Sequence, residues 1–309
     1  MKLINPQKGV ALLTAVLVLA LAVIAATSIA ANHQLSIRRT ENIVFGSQVW
    51  SYLHGGEAWA KVILARDLDD DNSYDATSES WATELPPLSL PGGYISGKLT
   101  DEQAKLNINA LLAGNNPDPI TRTRIEKLFS LLDQDTAIVQ AIIDWIDPDV
   151  QAIPPDGAED DYYIGLEQPY LAANQPMMHI SELRLVKGVT EQVYDAVSPY
   201  LTALPGNTAI NINTADPIVI AALIPELSKS TAESIIEDRE DNPFETINDF
   251  VFNTSISNIG SYVQGLSTQS SYFNLESEVK IGNSIIKNNS LLYRLNKQNV
   301  SVISRTPKQ

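Results

Sequence analysis

Seven carboxylates crowd eighteen consecutive positions in the tract DWIDPDVQAIPPDGAEDD: Asp144, Asp147, Asp149, Asp156, Glu159, Asp160 and Asp161. Prolines and a glycine force this stretch into a looped path. Carboxylates on a loop offer hard oxygen ligands, which suit Ca2+ and its six to eight ligands in flexible geometry. Packed so closely, they repel one another unless a cation or solvent lies between them. The spacing is not that of the EF-hand loop, so a cation centre and a solvated acidic loop both stand as readings. A second acidic run, Asp67, Asp69, Asp70 and Asp71, reads as a solvated loop at a helix end.

Other chemistry is sparse. The chain has no cysteine, which excludes disulfides, thiolate metal sites and cysteine nucleophiles. Three histidines, His33, His54 and His179, are too scattered for a histidine-rich metal centre. There is no P-loop, no G-x-S-x-G elbow, no H-E-x-x-H and no dinucleotide fingerprint. Ser, His and Asp occur, but nothing gathers them into a triad, so the expectation is a protein that is not an enzyme. A membrane-anchored periplasmic hydrolase and a generic anchored scaffold are the rival readings. The formal charge of −16 favours solubility and disfavours a nucleic-acid or anionic-lipid surface.

The acidic loop hangs on a chain of 309 residues that begins with a membrane segment. Val10 to Ala31 carries no charge, and as a helix it is about 33 Å long, enough to cross a bilayer core of about 30 Å. Lys2 and Lys8 precede it and favour a cytoplasmic N-terminus, although Arg38 and Arg39 beyond the span blur the signal. A cleaved secretory signal has an apolar core of about 7–15 residues, shorter than this one, though the small residues around Ala31 resemble its cleavage site. An uncleaved anchor has the same composition. The third reading is a leader cut between Gly9 and Val10, because Gln7-Lys8-Gly9 abuts the apolar helix and resembles the type IV prepilin site.

Beyond the span, apolar residues recur helically through Phe45, Val49, Tyr52, Leu53, Trp59, Val62, Ile63 and Leu68. This predicts one helix running to about Arg66, its outer half packed on a sheet, with Gly55-Gly56 either a weak point or a close-packing point. Residues 93–108 read as a hairpin turning at Asp101 to Gln103. Tyr272 to Lys280, Ser284 to Leu295 and Asn299 to Ser304 read as strands, with turns at Gly282-Asn283 and Asn288-Asn289.

Between the strands lies a helix-rich block with an internal repeat. Leu106-Asn107-Ile108-Asn109-Ala110 recurs as Ile210-Asn211-Ile212-Asn213-Thr214-Ala215. The second copy resembles a helix-hairpin-helix module, the phosphate-holding unit of DNA-uptake proteins. Its hairpin reads Pro225-Glu226-Leu227-Ser228, however, without glycine and with an acid facing any phosphate. Residues 109–270 hold 7 Lys+Arg against 24 Asp+Glu, so the block repels nucleic acid. Met177, Met178 and HISELRLVKG read as core packing and a helix start.

The order of these features, with Thr14 where pilins carry Glu at the fifth mature position, resembles the K-type minor pseudopilins of type II secretion. The resemblance implies an α+β fold: a pilin-like long transmembrane helix packed on an antiparallel sheet, with a large all-helical inserted domain containing helix-hairpin-helix-like repeats. The expected division is a leader over 1–9, the membrane part over 10–31, a pilin-like domain over 32–108 and 271–309, and the insert over 109–270. The implied role is at the pseudopilus tip, aiding export of folded proteins. The implied partners are I-type and J-type minor pseudopilins, prepilin peptidase and the inner-membrane secretion platform, with no nucleic acid. The implied location is the inner membrane, with the bulk in the periplasm. The resemblance also implies bound Ca2+ in the soluble part.

Overall fold

In a computed structural model that describes residues 9–68, 74–84, 86–254, 260–282 and 284–308, Val10–Asp67 forms one helix, α1. Residues 1–8 of the expected leader, Asp69 to Asp71 and Asn283 lie outside the described residues. At 1.5 Å per residue the helix is about 87 Å long. Its apolar first part is exposed, and the first buried side chain among the described residues is Val49. From there Leu53, Glu57, Ala60, Leu64 and Asp67 follow at steps of three and four, one stripe on one face. Phe45, Trp59 and Val62, expected on that face, are exposed. Gly56 is a close-packing point, since a Cβ there would meet Ile95 Cδ1 at 3.3 Å.

The stripe lies on a five-stranded antiparallel sheet built from β1 (Leu88–Leu90), β2 (Gly93–Asp101) and three later strands. The sheet order is β1-β2-β9-β10-β11, with β9 Tyr272–Ile281, β10 Ser284–Asn296 and β11 Asn299–Lys308. Strict alternation along β9 buries Phe273, Leu275, Ser277, Val279 and Ile281 against the helix. Val49 and Leu53 pack with Val279 and Ile281, whereas Ala60 and Leu64 pack with Trp81, Leu99, Phe273 and Leu292. The Phe273 end of the sheet is therefore the end remote from the apolar segment. Between the two clusters runs a polar lane, in which Glu57 accepts from Ser290 Oγ at 2.8 Å and pairs with Arg305 at 2.7 Å. Asn288, expected in a turn, sits in this lane inside β10, its side chain bonded to Ser290.

The chain leaves the sheet after Asp101 and returns at Tyr272, and Asp101 is paired with Phe273 across the ladder. Everything between is the insert. The hairpin expected over 93–108 does not form, because β3 (Leu106–Asn107) pairs in parallel with β6 (Leu201–Thr202) inside the insert. The first half of the insert continues through the short pair β4 (Leu112–Ala113) and β5 (Asn116–Pro117). Four helices follow: α2 (Pro119–Leu131), α3 (Ile138–Ile146), α4 (Asp160–Ile164) and α5 (Glu191–Val197). The second half runs from β7 (Ile210–Asn211) through α6 (Pro217–Leu223), α7 (Lys229–Asp241) and α8 (Ile247–Thr254) to β8 (Leu266–Ser267), parallel to β7. The insert is thus not all-helical, since a two-residue ladder closes each half.

The repeat is physical. Asp118 and Asp216 cap α2 and α6, each followed by Pro at the first helical position. Asn109 Nδ2 donates to Met177 O and its Oδ1 accepts from Met177 N, and Asn213 binds Phe244 in the same two-point way. One apolar core, from Leu106 to Phe250, fills both halves. Met177 is buried in that core, whereas Met178 is exposed, and His179 caps a 3-10 turn over Ile180–Leu185.

Candidate functional site

α3 is apolar on nearly every face and ends by delivering Asp144 and Asp147 to the start of the acidic loop. Asp144, fully buried, is the post around which the loop winds: it accepts from Ile153 N at 3.1 Å and Ala158 N at 2.7 Å. Gly157 passes so close that a Cβ there would lie 2.1 Å from Asp144 Oδ2, so only glycine fits. Lys187 Nζ fastens the same turn from behind, donating to Asp156 O and Gly157 O at 3.1 Å.

This winding brings oxygens of Asp147, Asp149 and Glu159 within 4.8 Å of one another. Asp147 and Glu159 are buried and Asp149 is exposed. Asp149 Oδ1 accepts from Gln151 N at 2.8 Å. Both oxygens of Glu159, and Oδ1 of Asp147, are buried with no donor. A buried acceptor without a donor is costly, and a buried carboxylate more so. Burial first, then the neighbouring carboxylates, raise Glu159 to about 7 and Asp147 to about 6. Asp144 is raised by burial, opposed by its two backbone donors.

The other acids do different work. Asp160 Oδ1 accepts from Ala172 N at 2.9 Å and so holds the chain beyond α4, while Asp156 and Asp161 stand outside the triad. A residue the sequence did not single out belongs nearby. Asn174, at φ 46°, donates its backbone N to Trp145 O at 3.0 Å and leaves Oδ1 buried without a donor. Its left-handed backbone is not legible in LAANQP. The arrangement offers what a hard divalent cation takes: converging oxygens, negative charge and acceptors lacking hydrogen.

Asp67, expected in a solvated loop, is buried. With Asp75 and Glu79 it forms a second acidic group, but a cation already sits there, since Arg294 binds Asp67 Oδ2 at 2.7 Å and Asp75 at 2.6 Å. At the hairpin between α6 and α7, Lys127 Nζ donates to Ile224 O, Pro225 O and Leu227 O at 2.6–2.9 Å. At the other end of the molecule, Gly9 opens α1 without a side-chain cap, and Val10 is exposed. Thr14 Oγ1 donates to Ala11 O at 3.0 Å, so its hydroxyl is satisfied within its own helix.

Two family models described as type II secretion system protein K match residues 104–206 and 210–271. These ranges are the two halves of the insert. Curated proteins called type II secretion system protein K are similar along most of the chain. The Pseudomonas aeruginosa protein is 33% identical over 89% of this chain and 85% of its own length. The Pectobacterium carotovorum protein is 31% identical over 97% and 96%. A chain in the crystal structure of the GspK-GspI-GspJ complex from enterotoxigenic Escherichia coli superposes with a TM-score of 0.79. It is 27% identical, covering 88% of this chain and 99% of that one.

Proposed function

The chain belongs to the type II secretion system protein K family, and on that premise we propose that it is the minor pseudopilin initiating or capping the pseudopilus at its tip, where it aids export of folded proteins across the outer membrane. The observation that carries this reading is where the insert joins. The chain enters and leaves it at the Asp101 and Phe273 end of the sheet, the end remote from the apolar helix. A head of that bulk obstructs any subunit stacked above it, which favours a terminal position. Thr14 supports the same reading. A stacked subunit needs a carboxylate to neutralise its neighbour's buried amine, and a threonine bonded to Ala11 O supplies none.

The reading includes cleavage by prepilin peptidase between Gly9 and Val10, with N-methylation of Val10. It puts the N-terminus in the cytoplasm and the bulk in the periplasm, on a single inner-membrane span. GspI and GspJ accompany the similar crystal structure, and their counterparts are the partners we assign here, together with the inner-membrane platform. The role is structural and includes no catalytic step.

Ca2+ is the cation we assign to Asp147, Asp149 and Glu159. The donorless oxygens of Asp147 and Glu159 fit it, and bound there it would neutralise the loop and fix its path. The paired halves of the insert are read as helix-hairpin-helix-like scaffold without a DNA role. Glu226 in the hairpin, and 7 Lys+Arg against 24 Asp+Glu over residues 109–270, support that reading. Immunogold labelling of isolated fibres tests the tip assignment: gold at one end is expected, and gold spread evenly along the fibre overturns it.

A further inference from the structure

The two halves of the insert repeat one plan, and a cleft is built where they depart from it. Asp118-Pro119 opens α2 as Asp216-Pro217 opens α6, which sets Thr121 opposite Val219 and Arg124 opposite Ala222 in the matching places. Val219 and Ala222 are buried and apolar, so the plan folds without a polar group at either place. In the first half both places carry hydrogen-bonding side chains, and both line a cleft of about 330 Å3 between the halves. Small-ligand sites span about 300–1,000 Å3, so the cleft falls at the lower end of their range. Asp118, Asn207, Gln264 and Gly265 line it as well.

Arg124 is only 3% exposed. Its Nε donates to Leu223 O at 3.3 Å, and its Nη2 to Tyr262 O at 2.6 Å and Gln264 O at 2.9 Å. These carbonyls fix the plane of the guanidinium but carry no charge to balance it. Among the described residues Arg124 forms no ion pair. Asp118 favours its charge from a distance, with Oδ1 already accepting from Thr121 N at 2.7 Å. Burial lowers Arg124 to about 10, which leaves it charged at neutral pH. Among the described residues Nη1 has no hydrogen-bond partner. It faces the cleft beside Gly265, where a Cβ would lie 3.4 Å from it. A buried charge without a counter-charge is costly, and an anion in the cleft removes that cost.

We propose that the cleft between the two halves is a carboxylate-binding site, in which Arg124 Nη1 holds one carboxylate oxygen while Thr121 Oγ1 and the Asn207 and Gln264 amides offer neutral donors to the other. Only one corner of the guanidinium is open, so the contact is to a single oxygen and not a two-point fork. A carboxylate fits better than a phosphate, because Asp118 on the wall repels a second negative charge. The many exposed acids of the insert act less, being screened beyond about 8 Å at physiological salt. The carboxylate is that of a small organic acid or of a chain terminus.

Full-length protein in detergent and low-chloride buffer is titrated with acetate, with N-acetyl-glycyl-alanine and with the amide of that dipeptide, followed by saturation-transfer magnetic resonance. Saturable binding of the dipeptide acid is expected, with the amide about tenfold weaker or more through loss of a charge-assisted bond. Arg124→Gln should abolish binding. Because Arg124 also ties α2 to the second half, Asn207→Glu is the companion variant, at an exposed position on the cleft wall. It places a competing carboxylate in the cleft and should weaken binding with unchanged far-ultraviolet circular dichroism. Acetate binding as tightly as the dipeptide acid assigns the cleft to small organic acids, and a dipeptide acid that alone binds assigns it to a chain terminus. No saturable binding of either carboxylate, an amide that binds as well as the acid, or binding that either folded variant leaves unchanged overturns the site.

Discussion

Withdrawing calcium is the perturbation whose consequence follows most directly from the geometry. In the metal-free protein, Glu159 has both oxygens buried and donorless beside Asp147, so the fold holds protons that the unfolded chain releases. Carboxylates raised in this way support the fold fully below about pH 4, and lose that support as pH rises through about 6 for Asp147 and about 7 for Glu159. Calcium needs the same oxygens ionised, so its binding releases protons and its stabilisation grows across the same interval. At 100 times its dissociation constant a ligand of the folded state contributes about 2.7 kcal/mol. For a soluble part of this size, about 2–4 °C per kcal/mol makes that a rise in Tm of about 5–11 °C. Thermal unfolding with calcium and with chelator, at pH 8 and pH 5, reads it. The rise should be full at pH 8 and nearly absent at pH 5. Glu159→Gln should abolish the rise, yet leave the metal-free protein at pH 8 at least as stable as the parent, because it removes an unpaired buried charge. A Tm indifferent to calcium at pH 8, or a calcium effect of equal size at both pH values, would refute the reasoning.

Gly9→Glu should block processing, leaving the leader in place by mass spectrometry of the N-terminus, whereas the parent should begin at Val10. Gly157→Ala, whose Cβ would lie 2.1 Å from Asp144 Oδ2, should displace the loop and shrink the calcium-dependent Tm rise without touching a carboxylate. Thr14→Glu should not turn the protein into a fibre-forming subunit by electron microscopy, since the insert still blocks stacking. Lys127→Met should lower stability by about 1–3 kcal/mol in chemical denaturation, through carbonyls left without their donor, and should confer no DNA binding in a gel-shift assay.

By itself the sequence determined what depends on short-range pattern. The uncharged run from Val10 and the three-and-four spacing after Val49 specify α1, because helix formation and burial both follow local periodicity. Alternation specifies β9, and the Asp-Pro pairs start α2 and α6 at matching places in the two halves. Only the tertiary structure decided what depends on distant partners. Leu106–Asn107 looks like the return arm of a hairpin, but finds its ladder at Leu201, nearly a hundred positions away. Asp67 looks solvated until Arg294 arrives from β10, and Glu57 interrupts an apolar stripe because Ser290 and Arg305 wait opposite. Of seven acids in one loop, three converge and Asp144 becomes the loop's post. That choice is made by backbone amides at Ile153 and Ala158, whose positions no side-chain spacing encodes.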